Sequence, residues 1–377
     1  MLYDYLDQFK FEKKEVNLFE AFAGVGSQAK ALGKLSKELG IKVNNVGISE
    51  FDKHCIKSYE SIHGQVNNYG DIIKIEKLPD NIDIFTYSFP CQDLSLAGKG
   101  AGIKKDTRSG LLYEVERLAQ VSNKPKVLLM ENVENLVGKK NKPNFDLWVK
   151  KLESMGYSNY WKILNAKNYG IPQSRNRVFM ISIYKDTREY TFPEPFELKL
   201  KLKDFLEDKV DDKYFLSDKM IKQIFADNDK WGTVKKTMNK PIAGTITTRE
   251  GQTRADSTTY ITDKVYIKEA TKKGYAEAEY GDSINISYPN SKTRRGRVGK
   301  QVAQTLTTSP NIVVLGNRFN CNFIRKLTPL EYWRLMGFDD EDFYSAKNAG
   351  VSDSQLYKQA GNSIVVDVLY HIFKKLF

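Results

Sequence analysis

Short apolar runs alternate with segments of helical spacing over the first half of the chain, and this alternation restricts the possible folds more than any other feature. Residues 16–22 form an apolar run that ends in a glycine turn, and 27–39 follow with helical spacing. Residues 43–49 and 82–88 read as further strands. A helix candidate at 111–121 precedes a strand at 127–130, and 177–183 closes the series. Strand, helix and strand repeated in this order predict a doubly wound α/β domain built on a mixed, mostly parallel sheet. Folds of this kind bind ligands in the loops that follow the strand C-termini.

The pattern fades after Tyr184. Residues 191–195 carry two prolines, and from there to about 316 the chain is rich in Thr, Lys, Arg, Asp and Gly. This stretch reads as a second, smaller, irregular β-rich domain. Arg294, Arg295 and Arg297 cluster there with Lys292 and Lys300, interspersed with Gly296 and Gly299. The cluster reads either as a solvated loop or as a site of phosphate or base contact. Segments 244–248 and 304–308 resemble one another but do not amount to a repeat architecture. Thr328 is placed to cap a helix, with Pro329 at its first position and Glu331 at capping-box spacing. Residues 365–377 form an apolar-rich helix expected to pack on the first domain. The expected boundaries are 1–187, 188–354, and a returning segment at 355–377.

The 377 residues suffice for two domains, one of them large. No apolar run approaches the roughly 18 residues that span a bilayer, and the mixed-charge start is not that of a signal peptide. A net charge of +12 directs attention to a polyanionic partner, since Lys and Arg neutralise phosphates and release counterions. Charge alone does not identify that partner. Cys55, Cys91 and Cys321 are isolated, which argues against a zinc site and a disulfide framework and for an intracellular chain. No metal is expected.

Candidate site residues fall at the predicted strand tips. Phe22-Ala23-Gly24-Val25-Gly26 is a glycine turn between strand and helix, which lets backbone approach a ligand closely. A lone GxG serves NAD, FAD, S-adenosylmethionine or only a tight turn. The missing third glycine leans away from a pyrophosphate. Glu50-Phe51-Asp52 ends the second strand, where an acid accepts from ribose hydroxyls. Asp71-Ile72 adds a contact able to accept from an adenine amino group. Ser88-Phe89-Pro90-Cys91-Gln92 follows the next strand and would expose Cys91 beside the cofactor pocket, a setting in which thiols react. Cys55 and Cys321 lack such a context and read as inert. Glu131 and Asn132 end another strand, and a buried carboxyl there is a candidate for a raised pKa. Arg175 and Arg177, two residues apart, share one face of a strand.

With these residues quoted, the sequence resembles the DNA cytosine-5 methyltransferase family over most of the chain outside roughly 190–300. Residues 22–26 resemble its cofactor loop, and Glu50-Phe51-Asp52 and Asp71 its ribose and adenine contacts. Phe51 stands where a tryptophan is common. Phe89-Pro-Cys-Gln92 resembles its nucleophile motif, and Glu131-Asn-Val133 and Gln173-x-Arg-x-Arg177 its next two catalytic motifs. Arg325-x-Leu-Thr-Pro-x-Glu331 resembles the motif closing the recognition domain, and Gln359-Ala-Gly-Asn-Ser363 the last motif, near the cofactor. The resemblance implies S-adenosylmethionine as methyl donor and S-adenosylhomocysteine as product. Its binding residues would be Phe22, Ala23, Gly24, Val25, Gly26, Glu50, Phe51, Asp71, Ile72, Phe89, Pro90, Asn362 and Ser363. It implies Cys91 as nucleophile at cytosine C6, Glu131 at N3, Asn132 orienting carboxylate and base, and Arg175 with Arg177 stabilising charge on the base carbonyl.

The resemblance further implies a flipped-out cytosine in duplex DNA, gripped by the second domain with Arg294, Arg295 and Arg297 among the contacts. It implies a cytoplasmic enzyme of bacterial or phage origin, a monomer on DNA, with or without a cognate restriction endonuclease. A tRNA cytosine methyltransferase shares this chemistry, but the long stretch between Arg177 and Arg325 favours reading of DNA. A NAD(P)-dependent oxidoreductase leaves the Pro-Cys loop and both arginines without a role. A catalytically dead DNA-binding regulator is at odds with an intact set of Cys91, Glu131 and Arg177.

Overall fold

A computed structural model of the chain describes residues 8–90, 108–216, 264–318 and 321–377. They fall into two compact units. The first comprises residues 8–171, Arg175–Leu198 and Trp333–Phe377, and the second Pro172–Ser174 and Lys199–Tyr332. The sequence places the first boundary at 187 and the return at 355. The chain instead stays in the first unit to Leu198 and rejoins it at Trp333. Hydrogen bonding explains both shifts. Tyr169 Oη donates to the Pro193 carbonyl at 2.9 Å and Tyr190 Oη to that of Ile372 at 3.0 Å. Trp333 Nε1 donates to the carbonyl of Leu356 at 3.0 Å.

The first unit is a six-stranded sheet. Its strands are β1 (Glu15–Ala21), β2 (Lys42–Ser49), β3 (Ile84–Tyr87), β4 (Val127–Val133), β5 (Tyr157–Asn165) and β7 (Asn176–Tyr184), while β6 (Gln173–Ser174) lies in the second unit. The order is β2-β1-β3-β4-β7-β5, and every pairing is parallel except the two made by β7. Alternation along each strand feeds both faces. Phe19, Phe85, Tyr87, Leu128, Met130, Val178 and Met180 share one core with Leu112, Val115 and Leu118 of α3 (Leu112–Val121). Phe145, Trp148 and Leu152 of α4 (Lys142–Ser154) complete it. Burying roughly ten such side chains at about 1.5–3 kcal/mol each is what holds these helices, whose own propensities are ordinary. Glu20 points to the opposite face, where it accepts from the N-terminal turn of α1 (Ser27–Leu39). Helices on both faces make the sheet doubly wound, as its sequence pattern predicts.

Between β2 and β3 lies α2 (Lys53–His63), capped by Asp52, whose carboxylate accepts from His54 N at 2.9 Å. The chain ends in α5 (Pro329–Arg334), α6 (Asp340–Asn348), α7 (Asp353–Asn362) and α8 (Val366–Lys374). The expected cap at Thr328 is present in both directions: Glu331 N donates to Thr328 Oγ1 at 3.2 Å, and Thr328 N to Glu331 Oε2 at 2.8 Å.

In the second unit, β8 (Lys264–Lys268) and β9 (Tyr275–Glu279) form a hairpin. A four-stranded antiparallel sheet has the order β11 (Val298–Gly299), β10 (Ser283–Asn285), β13 (Ile312–Arg318) and β14 (Cys321–Lys326). Its core includes Val265, Ile267, Ala278, Ile284, Ile286, Val313, Leu315 and Ile324. The short strand β12 (Ala303–Gln304) pairs in parallel with β6. Segment 244–248, likened above to 304–308, lies outside the described residues.

Candidate active site

The glycine turn after β1 is held in an uncommon conformation. Phe22, Gly24 and Gly26 all have positive φ, at 58°, 58° and 80°. An aromatic residue in this region is strained and persists only where its surroundings fix it. Here Phe22 N and Ala23 N both donate to the Ser49 carbonyl, at 2.9 and 3.3 Å. Gly26 cannot be replaced without movement: a Cβ there would lie 2.4 Å from His63 Nε2 and 2.7 Å from the Tyr59 ring. The tip of β2 meets this turn through Glu50. Its Oε2 accepts from Gly24 N at 2.9 Å, and its Oε1 from Phe51 N and Asp52 N at 2.9 and 2.8 Å. Beside it the Phe51 ring is 71% exposed. Asp71 caps the turn Ile72–Lys74 by accepting from Ile73 N at 3.2 Å. Ser49 Oγ ties the strand tip to the Gly70 carbonyl at 2.8 Å.

The other residues expected to touch a cofactor lie at different depths. Ala23, Val25, Ile72 and Phe89 have buried side chains. The Ile72 and Phe89 rings and chains belong to the hydrophobic core, which leaves only their backbones to face a ligand. Pro90 is half-buried and Asn362 exposed. Ser363 is buried, and its hydroxyl donates to the Gln359 carbonyl at 2.8 Å.

Beneath the turn sits a polar cluster that sequence reasoning missed. Glu20 is fully buried and accepts from Ala29 N at 3.2 Å, Tyr59 Oη at 2.5 Å and Asn45 Nδ2 at 3.1 Å. Burial outweighs these donors and pushes its carboxyl up to about 7. His63 packs on the Tyr59 ring and places Nε2 at 3.1 Å from the Val25 carbonyl. Burial lowers its pKa, which keeps it neutral. The one signal for Glu20 in the sequence is a carboxylate inside an apolar strand. Gln359, within the last quoted motif, is a second such residue. It accepts from Ser58 Oγ at 3.0 Å and donates to the His54 carbonyl at 2.9 Å, which locks α7 onto α2.

The tips of β4 and β7 bring together the expected polar residues. Glu131 is 7% exposed, and Arg177 Nε lies 3.1 Å from its Oε1. Burial raises the Glu131 pKa, opposed by the positive charges of Arg177 and Arg175. Asn132 Nδ2 donates to the Phe89 carbonyl at 3.0 Å, and its Oδ1 accepts from Val133 N at 2.9 Å. It thereby fixes the backbone two residues before Cys91, which itself lies outside the described residues. Arg175 departs from its expected place at a base carbonyl. It is 3% exposed, and Nη2 donates to the carbonyls of Gly361 and Ser363 at 3.0 and 2.8 Å. The guanidinium thus fastens the end of α7 to this part of the sheet. Burial and the nearby carboxylates of Glu50 and Asp52 push the Cys55 thiol far up, in keeping with an inert residue.

The arginine cluster of the second unit divides. Arg295 is exposed, with Nε donating to the Ala270 carbonyl at 2.9 Å, and Arg294 is half-buried. Arg297 does not fit the expected role of a DNA contact. It is 2% exposed, and its guanidinium donates to the carbonyls of Asn285, Ser287 and Tyr288 at 3.1, 3.0 and 2.7 Å. A guanidinium buried to this degree and bonded to three backbone carbonyls is withdrawn from the surface a phosphate would approach.

A doubly wound sheet, a carboxylate-braced glycine turn after its first strand, and a buried acid paired with arginine at later strand tips make up a Rossmann-like α/β unit with polar groups gathered at its ligand-binding edge. The family model for C-5 cytosine-specific DNA methylases matches residues 16–377. The chain belongs to that family and is a DNA (cytosine-5)-methyltransferase. The type II methyltransferase M2.ScrFI of Lactococcus lactis subsp. cremoris is 35% identical, over 96% of this chain and 99% of its own length. The orphan methyltransferase M.SPBetaI of Bacillus phage SPbeta is 29% identical over 96% and 97%. Among solved structures, the Entamoeba histolytica methyltransferase EhMeth aligns with a TM-score of 0.61 at 18% identity, over 97% of this chain and 98% of its own. The Dnmt2 methyltransferase of S. pombe aligns at 0.59 and 17%, over 96% and 98%. At these identities the two structures speak to the fold.

Proposed function

We propose that the protein methylates C5 of a flipped-out cytosine within a specific short sequence of duplex DNA, through a covalent bond between Cys91 and C6. The observation that carries this reading is the arrangement at the tip of β4. A buried carboxyl with a raised pKa sits beside an arginine, and the next residue grips the backbone leading to Cys91.

The braced turn fits S-adenosylmethionine. Glu50 has most of its acceptor positions filled by backbone amides, which orients what remains toward ribose hydroxyls. The exposed Phe51 ring offers a stacking face for adenine. The strained turn at 22–26 admits the amino-acid end at backbone distance. When bound, this cofactor supplies an electrophilic methyl group on a sulfonium.

The residues then divide the work. The Cys91 thiolate bonds to C6 and opens the 5,6 double bond, which makes C5 enamine-like. Burial raises the Glu131 pKa, which favours the carboxyl form that donates to N3 and assists that attack. Arg177 stabilises charge developing on the base carbonyl, while Arg175 acts as a positioning residue through the end of α7. After methylation the C5 proton leaves, Cys91 departs, and the double bond is restored. Arg294 and Arg295 of the second unit contact the DNA backbone. The type II name of the Lactococcus relative extends the proposal to protection from an endonuclease of the same site, and the orphan name of the phage relative to action alone.

Incubation with S-adenosylmethionine and plasmid DNA carrying 5-fluorocytosine tests the covalent step, because fluorine at C5 cannot leave as the proton does. The adduct is expected to survive denaturing electrophoresis for the native chain and to be absent for Cys91→Ser. Turnover without any trapped adduct contradicts the mechanism.

A further inference from the structure

An exposed aromatic side chain on a braced turn stands beside the basic cluster of the second unit. Tyr288 is 76% exposed, the most exposed of the large hydrophobic side chains among the described residues. Its backbone is left-handed, with φ at 50°. Bulky residues seldom adopt this conformation, and they keep it where the surroundings over-determine it.

The surroundings do so here. Arg297 reaches up from beneath and donates to the carbonyls of Asn285, Ser287 and Tyr288. Ser291 N donates to the Tyr288 carbonyl at 3.0 Å, which closes the turn. Asn285 Oδ1 accepts from Ser287 N, and Asn311 Nδ2 donates to Ser287 Oγ, both at 2.9 Å. Ile284 and Ile286, just before the turn, are buried in the core of the unit. A buried guanidinium, three carbonyls and an anchored strand thus hold up a tyrosine that itself buries little. Exposed to this degree, the ring adds little to the packing among the described residues. Within seven residues of it stand Lys292 and Arg295, both exposed.

We propose that Tyr288 is a DNA contact, its ring stacking on a base of the bound duplex, with Arg297 as the residue that positions it. The inference rests on the reading of duplex DNA as substrate. Extruding a cytosine unstacks its neighbours, and their exposed faces are what an aromatic side chain stacks on. Lys292 and Arg295 bring phosphates to the same edge. This gives a function to the strained turn and to the burial of Arg297, which neither a solvated loop nor a phosphate contact explains.

The test uses the full chain and a labelled duplex containing the site methylated by the native protein. Tyr288→Gly removes the ring and relieves the backbone, because glycine adopts positive φ freely. Its affinity is expected to fall about tenfold or more at every salt concentration, as loss of base stacking does. The salt slope should stay native, since no charge is lost. Its melting temperature should equal or exceed the native value, and its affinity for S-adenosylhomocysteine should not change. Tyr288→Phe should bind within about twofold of native, since the stacking face remains. Arg295→Gln, by contrast, should reduce the salt slope. Native affinity for Tyr288→Gly overturns the proposal, and so does a loss of affinity that tracks a lower melting temperature. Failure of the native protein to bind any duplex overturns the proposal together with the reading on which it rests, and that outcome shows in the native sample alone.

Discussion

Glu331, near the end of the second unit, holds one of the most densely bonded carboxylates among the described residues. It is fully buried, and Arg325 is 4% exposed. Arg325 donates to both oxygens, at 2.7 and 2.8 Å. Thr328 N and Glu207 N each add a bond at 2.8 Å. A carboxylate has about four acceptor positions, and here all four are filled. Glu331→Gln turns one oxygen into a donor facing donors and leaves the Arg325 charge unpaired. Removing one partner of a buried pair costs about 3–5 kcal/mol. For a unit of this size that is a fall in melting temperature of roughly ten degrees. Thermal or urea unfolding of the full chain reads it, with S-adenosylhomocysteine binding measured in parallel to follow the first unit. Replacing both partners, Arg325→Met with Glu331→Leu, should recover part of the loss because no charge stays buried. A Glu331→Gln protein that unfolds within about 1 kcal/mol of native would refute the reasoning, since a buried, fully bonded carboxylate cannot be exchanged so cheaply.

Other consequences are open to measurement. The Glu20 carboxyl is raised from 4.5 to about 7, so its contribution to stability is complete below pH 4.5 and is lost as pH rises through 7. Glu20→Gln does not titrate there, and its stability relative to native should therefore improve by about 3 kcal/mol between pH 4.5 and pH 8; a difference flat with pH in urea melts would show that the carboxyl is not raised. Phe51→Ala should weaken S-adenosylhomocysteine binding by about threefold to tenfold without lowering the melting temperature, given how little the ring buries. Equal affinity would remove adenine stacking from the site. Asn132→Ala leaves the Phe89 carbonyl without its donor, and should reduce kcat more than tenfold while costing about 1–2 kcal/mol of stability. A native kcat would mean that the backbone ahead of Cys91 needs no such hold.

Much of this organisation was legible because it is local. The β1 turn and α1 follow from an apolar run, two glycines and helical spacing, and α1 spans Ser27–Leu39, as its periodicity predicts. The Thr328–Glu331 cap follows from four residues in a row. Strand β5 was not legible. Trp161, Lys162 and Ile163 are all exposed on this edge strand, so its pattern lacks the alternation that marks a half-buried strand. Helices α2 and α4 are equally faint, since their two and three buried residues are spread among charged residues. The site shows the same division. Glu50, Glu131 and Asn132 sit at strand tips and can be read as such. Arg175 and Arg297 look like surface cations in sequence, yet both are spent on backbone carbonyls, of chain positions far away for Arg175 and of a turn nine to twelve residues back for Arg297. The partners that decide a cation's role lie in the tertiary fold, and composition carries no trace of them. Glu20 is the opposite case: its three donors come from α1, β2 and α2, and only the fold explains a carboxylate within β1.

Bisulfite sequencing of plasmid DNA from cells that express the protein, beside a Cys91→Ala control, tests the central claim most directly. Protected cytosines confined to one short sequence, and absent from the control, are the expected result, and they identify the target at the same time. Unprotected DNA from cells holding folded protein that still binds S-adenosylmethionine, or protection that persists in the control, would contradict methylation of DNA through Cys91.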